Sequence, residues 1–148
     1  MRRPREGYTP GTGSEPTDGV TTHTAALPYT AEAARDARNQ LGRLLDGRCS
    51  LPIIQTASLL TSELATNAVL HGAPPLHLHA RIADAIIRVE VHDGSASTSP
   101  ARRKAHATDQ GGRGLAIIEA LASRWGTEPT AGGKFVWFEL FDESQFSR

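Results

Sequence analysis

Apolar residues follow two periods along the chain, and the change from one to the other orders the elements. Ala34, Ala37, Leu41, Leu44 and Leu45 recur near every 3.6 residues. That spacing predicts an amphipathic helix from a cap at Thr30 to about Asp46, stopped by Gly47. A second helix is predicted after Ser50, with Pro52 tolerated in its first turn, ending at Gly72. The period then becomes two. Leu76, Leu78, Ala80 and Ile82 alternate with His77, His79 and Arg81, a strand pattern. A turn at Ala83–Asp84 leads into a second strand over Ala85–Asp93, making a hairpin. Thr22–Leu27 reads as an earlier strand stopped by Pro28, and Leu115–Trp125 as a third helix entered through Gly111, Gly112 and Gly114. Lys134–Phe141 reads as a last strand rich in aromatics. Gly94–Gln110 has no period and reads as a long loop, mobile on its own. Helices combined with hairpin strands predict an α+β fold. The expected form is a two-layer sandwich with the helices on one face of a mainly antiparallel mixed sheet.

Composition narrows this to one domain. The chain has 148 residues, 39% hydrophobic and 22% charged, enough for one packed core. Residues 1–20 are rich in Gly, Pro and Thr and nearly free of apolar side chains. They are expected to be a disordered tail, with the folded domain over 21–148. Sixteen basic residues balance sixteen acidic ones, which argues against direct nucleic-acid binding. Cys49 is the lone cysteine, so a disulfide framework and a Cys-rich zinc site are excluded. No apolar run reaches about 18 residues, so no membrane span is expected. Arg2, Arg3 and Arg5 are followed by no apolar stretch of the secretory kind. A cytoplasmic location is the expectation.

Candidate chemistry concentrates in three places. Between Leu51 and Leu70 the second helix carries a single charged residue, Glu63, on its broad apolar side. Asn67 lies one turn further on and His71 one turn beyond that. A carboxylate buried without a partner is costly or protonates. Either an arginine in the core satisfies Glu63, or the stripe lines a pocket in which Glu63 is a base and Asn67 orients a metal. Second, Ile87, Val89, Val91 and Asp93 share one strand face, so Asp93 continues an apolar face before Gly94. Such a carboxylate suits an amino group at the bottom of a cleft; a plain Asp-Gly turn is the alternative. Third, Gly111-Gly112-Arg113-Gly114 precedes Leu115-Ala116-Ile117-Ile118. Glycines permit close backbone approach and a helix start attracts anions, although glycines also simply end loops. His77 and His79 form an H-x-H pair that reads as solvent-exposed rather than as a metal site. Arg102-Arg103-Lys104 is either a solvated run or a phosphate neighbour. Trp137, Phe135, Phe138 and Phe141 read as core and sheet surface, and Cys49 as inert.

In order and spacing these segments resemble the GHKL ATPases, the gyrase, chaperone, histidine-kinase and mismatch-repair enzymes sharing the Bergerat fold. Ser62–Gly72 resembles their N box, Val91–Ser95 the G1 box and Gly111–Leu115 the G2 box, with Gly133–Leu140 at the place of the final strand. Within the superfamily the chain is most similar to small stand-alone bacterial anti-sigma factor serine/threonine kinases. The resemblance implies that Glu63 positions the attacking hydroxyl or water and that Asn67 holds Mg²⁺ against the triphosphate of ATP. It implies that Asp93 takes the adenine amino group and that Gly112 and Gly114 contact phosphates. Gly94, Arg113 and Leu115 complete the implied nucleotide set, and Gly94–Gln110 is the implied lid. A sigma factor and an antagonist protein are the implied partners, with a homodimer as the implied assembly. Two features depart from the family. Ser95-Ala96-Ser97 lacks the later G1 glycines, and Phe135 stands where the final strand often has Thr, which removes a water-mediated adenine contact. Two other readings are an ATP-gated binder without kinase activity and the catalytic piece of a histidine kinase. The second is disfavoured by the short stretch before Thr30.

Overall fold

The computed structural model describes residues 14–17, 19–96 and 110–143. Six strands, β1 (Ser14–Thr17), β2 (Val20–Leu27), β3 (Leu76–Ala83), β4 (Ile86–Asp93), β5 (Arg124–Thr130) and β6 (Gly133–Phe141), form one sheet in the order β1-β2-β3-β4-β6-β5. Every pairing is antiparallel, so among the described residues the sheet has no parallel pair of the mixed kind. Three helices, α1 (Ala33–Leu45), α2 (Leu51–His71) and α3 (Gln110–Leu121), complete the α+β sandwich. No helix among the described residues is long and apolar enough to cross a membrane.

The helical period of α1 becomes its buried face: Ala33, Ala37, Leu41, Leu44 and Leu45 are all buried. The helix starts two residues later than the Thr30 cap predicts, with Glu32 in the cap position. Thr30 instead closes the turn before it, its Oγ1 accepting from Glu32 N at 3.2 Å. Gly47, at φ +76°, ends the element as expected. α2 packs against α1, α3, β4 and β6, which explains why its apolar residues surround it instead of forming one stripe.

Strand alternation sets the inner face of the sheet. Ile87, Val89, Val91 and Asp93 of β4 lie directly opposite Leu140, Phe138, Val136 and Lys134 of β6, and all eight are buried. Leu76, Leu78 and Ala80 of β3 extend the same layer.

Several other boundaries differ from expectation. The tail predicted for residues 1–20 does not reach its predicted end, because Ser14–Thr17 pairs with Val20–His23 as an edge strand. Residues 1–13 lie outside the described residues, as do residues 97–109 of the predicted lid with the Arg102-Arg103-Lys104 run. α3 begins at Gln110, so Gly111, Gly112 and Gly114 lie within its first five residues and not in a preceding loop. It ends at Leu121, and Trp125 belongs to β5, an edge strand with no predicted counterpart.

The β3–β4 turn is shifted by one residue from Ala83–Asp84. Asp84 and Ala85 both have positive φ, 52° and 66°, the two-residue turn whose twist suits a hairpin. An alanine held in the left-handed region is strained by about 1–2 kcal/mol. Ala85→Gly is expected to raise the unfolding free energy by about 1 kcal/mol, read as a higher urea midpoint at unchanged slope. An unchanged or lower midpoint contradicts the turn assignment.

Cys49 sits half-buried behind α1. Burial first, then the Asp142 carboxylate, pushes its thiol up to about 11, against a smaller lowering by Arg48. The thiolate is the reactive form, so iodoacetamide at pH 8 is expected to modify native Cys49 about a hundredfold more slowly than the unfolded chain. Equal rates in the two states contradict the assigned environment.

Candidate functional site

α2 runs through the site as its spine. Glu63, Asn67 and His71 occupy successive turns of one stripe, and Gly72 ends the helix with its N–H donating to Ala68 O at 2.8 Å. At the upstream end of this stripe stands α3. A Cβ added to Gly114 would lie 3.8 Å from both Cβ and Oε1 of Glu63. The glycine-rich start of α3 and the α2 carboxylate therefore meet at Gly114. Leu115, the next residue, is fully buried and anchors the turn to the core. Gly112 lies in the same turn; the Arg113 side chain is outside the described residues.

At the downstream end stands the tip of β4. A Cβ on Gly72 would come 2.6 Å from Asp93 Cγ, so the carboxylate rests directly on the end of α2. Asp93 is 6% exposed. Its Oδ1 accepts from Ser95 N at 2.7 Å, and both oxygens accept from Lys134 Nζ, at 3.1 and 2.9 Å. Glycines allow this packing. A Cβ on Gly133 would overlap Asp93 O, and one on Gly94 would overlap Pro74 O. Gly94 N also donates to Ala73 O at 2.7 Å, pinning the strand tip to the segment after α2.

Lys134 is the residue that sequence reasoning missed. The structure corrects the emphasis placed on Phe135, which points to the opposite face and stacks on His92 at 4.5 Å between ring centroids. Lys134 is 6% exposed and meets Asp93 directly. The signal was present. In β6, Lys134, Val136, Phe138 and Leu140 share one face by period two, so a lysine continues an apolar face just as Asp93 does in β4.

Between the two ends lies Asn67, 5% exposed. Among the described residues its Oδ1 has no hydrogen-bond partner. A buried amide oxygen left without a donor is costly, and an oxygen of this type suits a hard divalent cation. From Glu63 to Gly72 the axis rises by roughly 13 Å, a span comparable to an extended nucleoside triphosphate. The stripe thus has a buried carboxylate paired with a lysine at one end, an amide oxygen without a partner among the described residues in the middle, and a carboxylate beside a helix start at the other.

The opposite face of the sheet carries a second polar cluster. Glu90 accepts from Arg88 at 2.9 Å and pairs with His92 Nε2 at 2.8 Å. These partners outweigh the upward push of burial and hold the Glu90 carboxyl below its ordinary range. His79 stacks on His92 at 4.2 Å. Burial first, then the facing His92, lowers the His79 imidazole. The H-x-H histidines are therefore half-buried rather than solvent-exposed, and His79 belongs to a stack with His92.

The family model for the histidine kinase-like ATPase domain matches residues 27–140. Among solved structures, the RsbU and RsbW domains of Rv1364c from Mycobacterium tuberculosis are similar, with 26% identity and a TM-score of 0.63. That match covers 81% of this chain and 32% of the other, so the chain corresponds to a minor part of that protein's length. No curated protein is significantly similar in sequence.

Proposed function

The chain belongs to the histidine kinase-like ATPase domain family, and on that premise we propose that it is an ATP-binding anti-sigma factor and protein serine/threonine kinase. In this reading it sequesters a sigma factor and transfers the γ-phosphate of ATP to a Ser or Thr of an antagonist protein. The observation that supports it most is the α2 stripe, which joins Glu63 at the α3 start to Asp93 at the β4 tip. Asp93 serves the adenine amino group, with Gly94 letting the strand tip pack closely on Pro74 beside it. Gly112, Arg113, Gly114 and Leu115 belong to the phosphate end, where the unpaired N–H groups of the first turn of α3, that of Gly112 among them, meet the anionic oxygens. Asn67 Oδ1 fits Mg²⁺, which when bound neutralises charge on the phosphates. Glu63 orients the attacking hydroxyl and accepts its proton.

The RsbW domain in the similar structure supports the anti-sigma side of this reading. A regulator that binds ATP and a partner without transferring phosphate is the second reading. Lys134 already pairs with the Asp93 carboxylate that both readings assign to the base, so it bears on nucleotide affinity in both and does not separate them. Incubation with γ-labelled ATP and candidate antagonist proteins decides between the two. Label on a Ser or Thr of an antagonist is the expected result. ATP binding with no transfer to any antagonist leaves the binder reading in its place.

A further inference from the structure

We propose that the helix-free face of the sheet holds a divalent transition-metal site of the zinc type, built from His79, Glu90 and His92. The inference does not rest on the nucleotide reading. His92 and Asp93 are neighbours on β4, but their side chains go to opposite faces of the sheet.

The ligand set comes from two paired strands. His79 of β3 lies directly opposite Glu90 of β4, and His92 is two residues further along the same face. One donor atom from each residue lies within 4.8 Å of the other two. A tetrahedral zinc ion places its donors roughly 3.3 Å apart. Glu90 Oε1 and His92 Nε2 are already 2.8 Å apart, so closure mainly requires the His79 ring to splay from its stack. Two imidazoles and one carboxylate select zinc-like ions over Mg²⁺ or Ca²⁺, which prefer oxygen throughout.

The surroundings hold these groups in place. Glu90 divides its oxygens, Oε2 to Arg88 and Oε1 to His92, so the oxygen that faces the rings is the one an ion would take. Arg88 is itself held by Glu139 at 3.0 Å and lies over Trp137 at 4.2 Å. It orients the carboxylate from outside the ligand set, as outer partners do in metal sites. His92 is clamped between His79 and Phe135. Beside His79 and Glu90 opens a hollow of about 280 Å³ that Thr22 and Thr24 also line. It leaves room for water as the fourth ligand.

The test is calorimetric titration of untagged, nucleotide-free protein with ZnCl₂, with Co²⁺ absorption as a second readout. One equivalent of Zn²⁺ is expected to bind. His79→Ala and His92→Ala are each expected to weaken it at least about tenfold, since even outer partners of metal ligands are worth 10–100-fold. His23→Ala, which removes a ring bonded to Gln40 at 2.7 Å, is expected to bind as the wild type does. Zn²⁺ should raise the melting temperature of the wild type and not that of the His79→Ala/His92→Ala protein. If an alanine variant does not fold, His79→Gln and His92→Gln keep the bulk of the ring and take its place. No zinc binding, or binding that survives loss of both histidines, overturns the proposal.

Discussion

Asp93→Ala is expected to lower the unfolding free energy by roughly 3–5 kcal/mol, the scale for removing one partner of a buried ion pair. The cause is Lys134. Lys134 is 6% exposed, and Asp93 supplies both carboxylate oxygens to its ammonium at 2.9 and 3.1 Å. Without the carboxylate the charge stays buried or the strand tip opens to water. A simple binding test with Asp93→Ala alone would therefore mix two effects, loss of a base contact and loss of fold. The combined change Asp93→Ala/Lys134→Met separates them. It removes both charges and leaves an apolar side chain on an apolar strand face, so most of the stability should return. Nucleotide affinity should not return, because the acceptor proposed for the adenine amino group is still missing. Urea denaturation gives the first quantity and calorimetric ATP titration the second. Full ATP affinity in the double variant would remove Asp93 from the base site. A single Asp93→Ala protein as stable as the wild type would contradict the buried pair.

This pair also shows where sequence reading reached its limit. The alternation of β4 was legible because four inner positions in a row share one face, and Asp93 stands out as the one that is charged. Lys134 has the same signature in β6, yet its meaning depends on register across 41 positions of sequence separation. A residue-by-residue reading gives each strand's faces but not which rung faces which. Phe135 drew attention through a family pattern, and the register assigns it to the other face.

The strands that went unread are the two edges of the sheet, β1 and β5. Ser-Glu-Pro-Thr and Arg-Trp-Gly-Thr-Glu-Pro-Thr contain the Pro, Gly and Glu that central strands avoid. An edge has one unpaired side and tolerates Pro16 and Pro129 there. Their strand character comes from β2 and β6, which hold them, and not from their own pattern. Conversely, α2 was legible as a helix, and its single charge marked the site. Its burial against α1, α3, β4 and β6 accounts for the broad apolar side on which Glu63 and Asn67 sit.

Glu63→Gln is expected to keep ATP affinity within a few-fold and to lose about 10² or more in phosphoryl transfer, the usual scale for removing a general base. The substitution keeps volume and hydrogen-bonding reach, and it removes only the capacity to take a proton. The position makes the split between binding and chemistry readable. Glu63 lies beside Gly114, at the phosphate end, and more than two helical turns from the Asp93 end. Losing its charge therefore leaves the base acceptor and the α3 N–H groups intact. Asn67→Ala should behave in the opposite way. Its Oδ1 has no hydrogen-bond partner among the described residues, so truncation costs the fold little. ATP binding should weaken in the presence of Mg²⁺ and change far less in EDTA, because the amide oxygen is proposed to serve the ion and not the base. Both variants are measured by nucleotide titration and by label transfer to the antagonist. A Glu63→Gln protein that phosphorylates its antagonist at the wild-type rate refutes the general-base role. Loss of ATP binding in that variant instead assigns Glu63 to holding the nucleotide.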